Sequence, residues 1–154
     1  MRFVLDTSAL FSMQDIPPGE AYVTPGVIAE LRKYKDPRLT FWEDMLRVTS
    51  PSPQAAEAVR KAAVRTGDDA RLSPTDLEVL ALAMDLKAEL LTDDYSIQNL
   101  ARVMGIRFRG VGMKEIKEVV HWKYRCTGCR REWDENHPDC PICGSPLRSS
   151  RSRK

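Results

Sequence analysis

Residues 90–99 read LLTDDYSIQN: a short apolar run, a threonine, two adjacent aspartates, then a stretch with helical spacing. The pattern predicts a strand over Glu89–Thr92 and a helix over Tyr95–Met104 that stops at Gly105. Asp93 and Asp94 therefore fall where a strand hands over to a helix. In open α/β sheets, ligands meet just beyond the carboxyl ends of the strands. Two like charges in that turn raise the question of what else arrives at the same end.

The same order of strand and then acid stands at the N-terminus. Arg2–Leu5 leans apolar and is followed by Asp6, Thr7 and Ser8, which predicts a strand ending at Asp6 and leading into a helix. Ala21–Val23 predicts a second strand. Thr24 with Pro25 starts a helix reaching about Lys35, with a hydroxyl cap and proline at the first helical position. Phe41–Leu46 reads as helix, Arg47–Thr49 as strand, SPSP at 50–53 as a turn, and alanine-rich Ala55–Arg65 as a helix stopped by Gly67. Ser73, Pro74 and Asp76 carry a capping-box-like start before LEVLALAMDL, and Ile106–Arg109 is a last strand. Strands alternating with helices predict an α/β fold over residues 1–112, a mainly parallel sheet covered on both faces.

Two helical acids join those in the turns. Asp76 shares its helical row with Val79, Leu80 and Ala83, so it is expected to point inward. Glu30 lies beside Val27 and Tyr34, at the border of an apolar stripe. Each acid also has a plainer reading: Asp76 as a helix cap, Asp6 as a turn residue, and one of Asp93 and Asp94 as the cap of the following helix. Several carboxylates gathered in a partly buried cleft repel one another and lose hydration, so they take up protons or bind a cation. Oxygen donors without histidine suit Mg²⁺ or Mn²⁺. Such ions activate water and stabilise the charge that builds on a phosphodiester.

After Gly112 the chain changes character. Cys126, Cys129, Cys140 and Cys143 form C-x2-C-x10-C-x2-C, a spacing that presents four thiolates to one tetrahedral ion. A segment this short buries too little core to fold alone, so the metal supplies much of its folding free energy. Disulfides are the ordinary alternative, and CPICG also looks like a rubredoxin knuckle that would hold iron. Structural Zn²⁺ is favoured because nothing else suggests electron transfer. His137 is then a loop residue, and Trp133 is expected to pack beside the knuckles rather than stack on a base. His121–Arg125 predicts a strand entering this module. The expected boundaries are a linker at 113–120, where MKEIKEVV fits a helix or an extended segment equally, a zinc ribbon at 121–148, and a basic tail at 149–154.

Charge divides along the same line. Residues 1–118 carry 16 Lys/Arg against 18 Asp/Glu, a net of −2, whereas residues 119–154 carry 8 against 4, a net of +4. Lys123, Arg125, Arg130 and Arg131 surround the cysteines, a distribution that suits phosphate-backbone binding, although a solvated tail is as ordinary. No apolar run reaches the length of a bilayer span and the N-terminus lacks the pattern of a signal peptide, so a cytoplasmic protein without membrane contact is expected.

VLDTSAL at 4–10, VIAELR at 27–32, SPTDLEVLALA at 73–83 and LLTDDYSIQN at 90–99 resemble the PIN-domain nucleases. By that resemblance Asp6, Glu30, Asp76 and the acid of a T-x-D turn, here Asp94 counted from Thr92, form the metal site, with Asp93 a helper. A PIN-like domain followed by a zinc ribbon, together with DYSIQN at 94–99 and WKYRCTGC at 122–129, resembles one family over nearly the whole chain. That family is the endonuclease that matures the 3′ end of small-subunit ribosomal RNA, called the Nin-one-binding protein in eukaryotes. The chain lacks the long insertions of eukaryotic members and is similar to a compact archaeal type. The resemblance implies Mg²⁺- or Mn²⁺-dependent cleavage of precursor small-subunit rRNA, with the ribbon gripping the RNA. A toxin-type PIN ribonuclease and a non-catalytic RNA-binding assembly factor are the alternatives.

Overall fold

Five short strands, β1 (Arg2–Leu5), β2 (Glu20–Val23), β3 (Leu46–Val48), β4 (Glu89–Leu91) and β5 (Phe108–Arg109), form one sheet in the order β3-β2-β1-β4-β5. Every neighbouring pair is parallel, with Phe3 opposite both Ala21 and Glu89. The computed structural model describes residues 1–112 and 122–151. The expected linker and His121 lie outside the described residues. Val4, Leu5, Leu90 and Leu91 are buried, as strands covered on both faces require. From β1 the chain steps to β2 and β3 and then returns to β4 on the other side of β1. The switch of direction therefore lies between β1 and β4, and their carboxyl ends carry Asp6 and the Thr92–Asp94 turn.

Among the described residues six α-helices connect the strands: α1 (Thr7–Ser12), α2 (Pro25–Lys33), α3 (Leu39–Trp42), α4 (Pro53–Thr66), α5 (Pro74–Leu86) and α6 (Tyr95–Met104). Helix α5 packs on β1 and β4 and also meets α2, α4 and α6, so Val79 through Ala83 are buried without a break. That enclosure explains its apolar run, which lacks an amphipathic alternation. Helix α4 turns a stripe of Ala55, Val59, Ala62, Ala63 and Thr66 inward, and its small side chains allow close approach to α5.

Three boundaries differ from the sequence prediction. The helix expected over Phe41–Leu46 is a single turn, α3, after which the chain bends and enters β3 at Leu46. Arg38 holds this turn: it pairs with Asp36 at 2.7 Å, lies over the Trp42 ring and ties both to a distant segment by donating to the Met13 carbonyl at 2.7 Å. In SPSP the second serine and proline are a helix start rather than a turn. The Ser52 hydroxyl accepts from the Ala55 N–H and Pro53 opens α4, the same device as Thr24 with Pro25. The last strand shortens to two residues because the Ile106 N–H still bonds to the Ala101 carbonyl at the end of α6.

The cysteine-bearing segment forms a second, antiparallel sheet, β7-β6-β8, from β6 (Trp122–Cys126), β7 (Glu132–Trp133) and β8 (Leu147–Arg151). Residues 149–151, predicted as the start of a basic tail, are strand, because β6 presents a backbone edge from Trp122 to Cys126 for them to pair with. The ribbon meets the α/β body at the end of α4. The Trp122 indole N–H donates to Asp68 at 2.8 Å, and the Tyr124 hydroxyl lies 2.6 Å from the Asp69 carboxylate and 3.1 Å from the Gly67 carbonyl. Gly67 has φ +80°, and a Cβ there would lie 2.7 Å from the Trp122 Cβ and carbonyl oxygen. The residue that ends α4 thus also admits the ribbon.

Candidate active site and metal centre

Asp6 is the first residue past β1 and the N-cap of α1. Its Oδ1 accepts from the Ala9 N–H at 2.9 Å, its Oδ2 accepts from the Thr92 hydroxyl at 2.7 Å, and the Ser8 hydroxyl lies 2.9 Å from both oxygens. Only 4% of the residue is exposed. Burial pushes its carboxyl up to about 6; the hydrogen bonds from Thr92, Ala9 and Ser8 work against that shift, and the nearby charge of Asp94 adds to it.

The two hydroxyls that hold Asp6 also set the turn after β4. The Thr92 hydroxyl accepts from the Asp94 N–H at 3.0 Å, and the Ser8 hydroxyl accepts from the Asp93 N–H at 3.0 Å. Gln98, buried on α6, donates to the Thr92 carbonyl at 2.8 Å and closes the turn from the other side. The carboxyl ends of β1 and β4 are therefore joined by side-chain hydrogen bonds as well as by the sheet.

A cleft of about 240 Å³ at this end is lined by Asp6, Glu30, Asp76 and Asp94, with Thr7, Ser8 and Thr75 beside them. Glu30 reaches it from α2 and accepts a hydrogen bond from the Thr7 hydroxyl. Asp76 is half-buried at the third position of α5, in a capping box with Ser73: its Oδ2 accepts from the Ser73 N–H at 2.9 Å, and its N–H donates to the Ser73 hydroxyl at 3.2 Å. Burial raises the Asp76 carboxyl above its ordinary value, and the charges of Asp94 and Glu30 raise it further. Asp94 caps α6 through Oδ1, which accepts from the Ser96 and Ile97 N–H groups at 2.8 and 3.2 Å. Gly26 on α2 allows the approach of α2 to α5, since a Cβ there would come within 2.8 Å of the Thr75 hydroxyl.

Capping and lining the cleft are one arrangement rather than alternatives. Asp76 and Asp94 each spend one oxygen on a helix terminus, as Glu30 spends one on Thr7, and each leaves its second oxygen without a donor among the described residues. Hard oxygen donors, like charge and partial burial fit a divalent cation of the Mg²⁺ or Mn²⁺ kind. Asp93 goes elsewhere. Its carboxylate accepts from the Val111 N–H at 2.7 Å and the Gly112 N–H at 3.0 Å, so it anchors the chain leaving the domain and does not line the cleft.

The four cysteine sulfurs lie within 4.8 Å of one another, with Cys126 and Cys140 buried and Cys129 and Cys143 exposed. Their mutual closeness matches a tetrahedral thiolate site, in which Zn–S bonds of about 2.3 Å set sulfurs about 3.8 Å apart. Gly128 and Cys129 direct their N–H groups at the Cys126 sulfur, at 3.3 and 3.4 Å. The cluster is a metal site consistent with zinc. His137 packs edge-on against Trp133 and stands outside the cluster, as expected of a loop residue.

Residues 3–86 match the family model described as the PIN domain of ribonuclease. An endoribonuclease Nob1 from Pyrococcus abyssi is 43% identical over 155 residues, covering 96% of this chain and 92% of that protein. The chain belongs to the PIN-domain endoribonucleases of the Nob1 type. A second endoribonuclease Nob1, from Methanothermobacter thermautotrophicus, is 37% identical and covers 99% of this chain and 95% of its own length. The fold also matches a solved structure of VapBC-1 from nontypeable Haemophilus influenzae, with a TM-score of 0.53 over 73% of this chain and all of that one. At 18% identity that likeness concerns the fold alone.

PIN-domain ribonucleases use divalent metals, and the cleft lined by Asp6, Glu30, Asp76 and Asp94 gathers oxygen donors of the kind such ions prefer. The basic residues expected to meet RNA lie on the ribbon. Lys123 and Arg125 alternate along β6 with Tyr124, which faces the body of the protein, and Arg130 and Arg131 follow the first knuckle. Arg125, Arg130 and Arg131 are exposed, whereas Lys123 pairs with Asp134 at 3.2 Å. The sequence prediction omitted Ser8, Thr7, Thr75 and Gln98. Thr92 carried a signal in its T-x-D spacing; the others are single polar residues whose partners are distant in sequence.

Proposed function

We propose that the protein is a cytoplasmic endoribonuclease that cuts precursor small-subunit ribosomal RNA near its 3′ end by divalent-metal-dependent hydrolysis. The observation that carries this reading is the cleft at the ends of β1 and β4, which Asp6, Glu30, Asp76 and Asp94 line together and in which three of them keep an oxygen without a donor among the described residues. Similarity to Nob1 endoribonucleases over nearly the full length supports the ribosomal substrate. Asp6, Asp76 and Asp94, with Glu30, would hold Mg²⁺ or Mn²⁺. The bound ion supplies an activated water and neutralises charge at the scissile phosphate.

The remaining work falls to residues of the chain. Thr92 and Ser8 orient Asp6 and keep its two oxygens in place. The helix caps at Asp76 and Asp94 fix the other carboxylates on rigid elements rather than on loops. Burial of Asp6 excludes water from its rear face, so its charge is directed at the cleft. Asp93 acts as a helper by tethering residues 111 and 112. On the ribbon, Cys126, Cys129, Cys140 and Cys143 hold structural Zn²⁺, and Lys123, Arg125, Arg130 and Arg131 bind the phosphate backbone of unpaired RNA.

The test is cleavage of a short RNA spanning the 3′ end of the precursor, with Mn²⁺ or without added divalent metal, beside Asp6→Asn. Metal-dependent cutting at one position, lost in the variant while RNA binding persists, is expected. Binding without cutting at any Mn²⁺ concentration would make the chain an RNA-binding assembly factor instead. Equal cutting by Asp6→Asn would remove the carboxylate site.

A further inference from the structure

Two exposed aromatic residues line the same cleft as the carboxylates. Phe11, at the end of α1, is 42% exposed, and Tyr34, the C-cap of α2, is 64% exposed. Their rings meet edge-to-face, with centroids 5.6 Å apart and an interplanar angle of 79°. The pair repeats a contact one turn earlier. Thr7 precedes Phe11 by four residues and Glu30 precedes Tyr34 by four, and the Thr7 hydroxyl donates to Glu30. Helices α1 and α2 thus share two rungs, one polar at the acids and one aromatic, separated by about 6 Å along the helix axis.

We propose that Phe11 and Tyr34 form a stacking platform for one unpaired nucleobase next to the scissile phosphate, resting on the nuclease reading of the acid cleft. A cleft lined by four carboxylates repels a polyanion wherever a cation does not neutralise it, so contacts that carry no charge add affinity close to the chemistry. Base–aromatic stacking does this and tolerates every base. A single-stranded nucleic acid offers a flat apolar face one covalent unit away from each phosphate, which matches an aromatic rung one helical turn from the acid rung. The edge-to-face contact holds each ring against the other, so little side-chain freedom is lost when a base arrives. The platform selects for unpaired RNA, because a base within a helix has no free face to offer.

The test uses the full zinc-loaded chain and a short single-stranded RNA that carries 2-aminopurine at successive positions. Binding and fluorescence are read without added Mg²⁺ or Mn²⁺, and cleavage is read separately with Mn²⁺. In the wild type, one probe position is quenched by stacking. Phe11→Leu and Tyr34→Leu, which keep an apolar side chain, are expected to lose that quenching and to weaken binding by about 5- to 150-fold, whereas Tyr34→Phe retains both. With Mn²⁺ the leucine variants raise KM while kcat changes little, the signature of lost ground-state binding. Wild-type affinity and quenching in both leucine variants, with unaltered melting curves, would overturn the platform while leaving the nuclease standing. Quenching that depends on Tyr34 in a protein that cuts no RNA would do the reverse. Failure of the wild type to bind single-stranded RNA overturns the platform as well.

Discussion

Asp6 and Asp68 are both buried, both accept hydrogen bonds on both oxygens, and both have carboxyls raised by burial. Their surroundings differ in sign. Asp6 shares its cleft with Glu30, Asp76 and Asp94, and the charge of Asp94 raises it further. Asp68 accepts from Thr66, Asn99 and Trp122, and it feels the charge of Arg71, whose guanidinium lies 3.4 Å from the centroid of the Trp122 ring. Like charge around a buried acid is an expense without structural return, and a cation resolves it. Donors and a neighbouring cation around a buried acid make a joint, here the one that fastens the ribbon to the α/β body.

The largest expected effect separates these roles outright. Asp6→Asn should lower cleavage by at least about a hundredfold, since it removes an anionic oxygen from the proposed metal site. It should leave the melting temperature unchanged or raised. Asp68→Asn should preserve the cleavage chemistry and destabilise by roughly 1–3 kcal/mol, because a buried network loses acceptor capacity. Paired kinetics and thermal melts decide it, and the contrast breaks if Asp68→Asn abolishes cutting without a change in stability.

Next in size is Gly67→Ala. Its left-handed φ and the close approach of Trp122 should together cost about 1–3 kcal/mol. The loss should appear first as release of the ribbon, read from the fluorescence of Trp122 and from protease sensitivity of the ribbon itself. Ribbon contacts that persist in this variant would mean the joint does not depend on the glycine.

Response to pH and to metal sharpens the comparison. The Asp6 carboxyl rises from 3.8 to about 6 on folding, so between those values the folded state holds a proton that the unfolded chain has released. Without a cation, stability should therefore fall as pH rises through this window, by roughly 3 kcal/mol for this group. Cation affinity should run the other way, because binding needs the ionised form. It should increase up to about tenfold per pH unit below about pH 6 and level off above. Thermal melts with and without Mn²⁺ at pH 5 and pH 7.5 should show a larger stabilisation at the higher pH. Asp6→Asn should abolish that difference and Asp68→Asn should not. The smallest expected effect is Tyr124→Phe. It removes the hydroxyl that burial and Asp69 hold in its neutral form, at a cost of about 1 kcal/mol in melts of the full chain.

Local signals predicted most of the architecture. Hydroxyl–proline caps, positive-φ glycine stops and short apolar runs located β1, β2, β4, α2, α5 and α6 within a residue or two, because capping and strand burial depend on neighbouring residues. The cysteine spacing was legible for the same reason, as two tight knuckles carry their ligands within three residues of each other. Elements that failed are those defined by distant partners. Helix α3 is cut short where Arg38 reaches the Met13 carbonyl, and β8 exists because β6 has an edge to pair with. The four cleft acids were visible as acids after strands or on apolar rows, yet Asp93 and Asp94 were indistinguishable by position alone.

The sequence by itself determined which residues carry charge, which segments alternate as strand and helix, and which thiols can share an ion, since these follow from composition and short spacings. Tertiary structure decided which acids face one another. Asp94 turns into the cleft because Thr92 holds its N–H and α6 needs its cap, while Asp93 turns to Val111 and Gly112. It likewise decided that Gly67, Asp68 and Asp69 form a joint for the ribbon, through contacts that span more than fifty residues and leave no periodic trace in the chain.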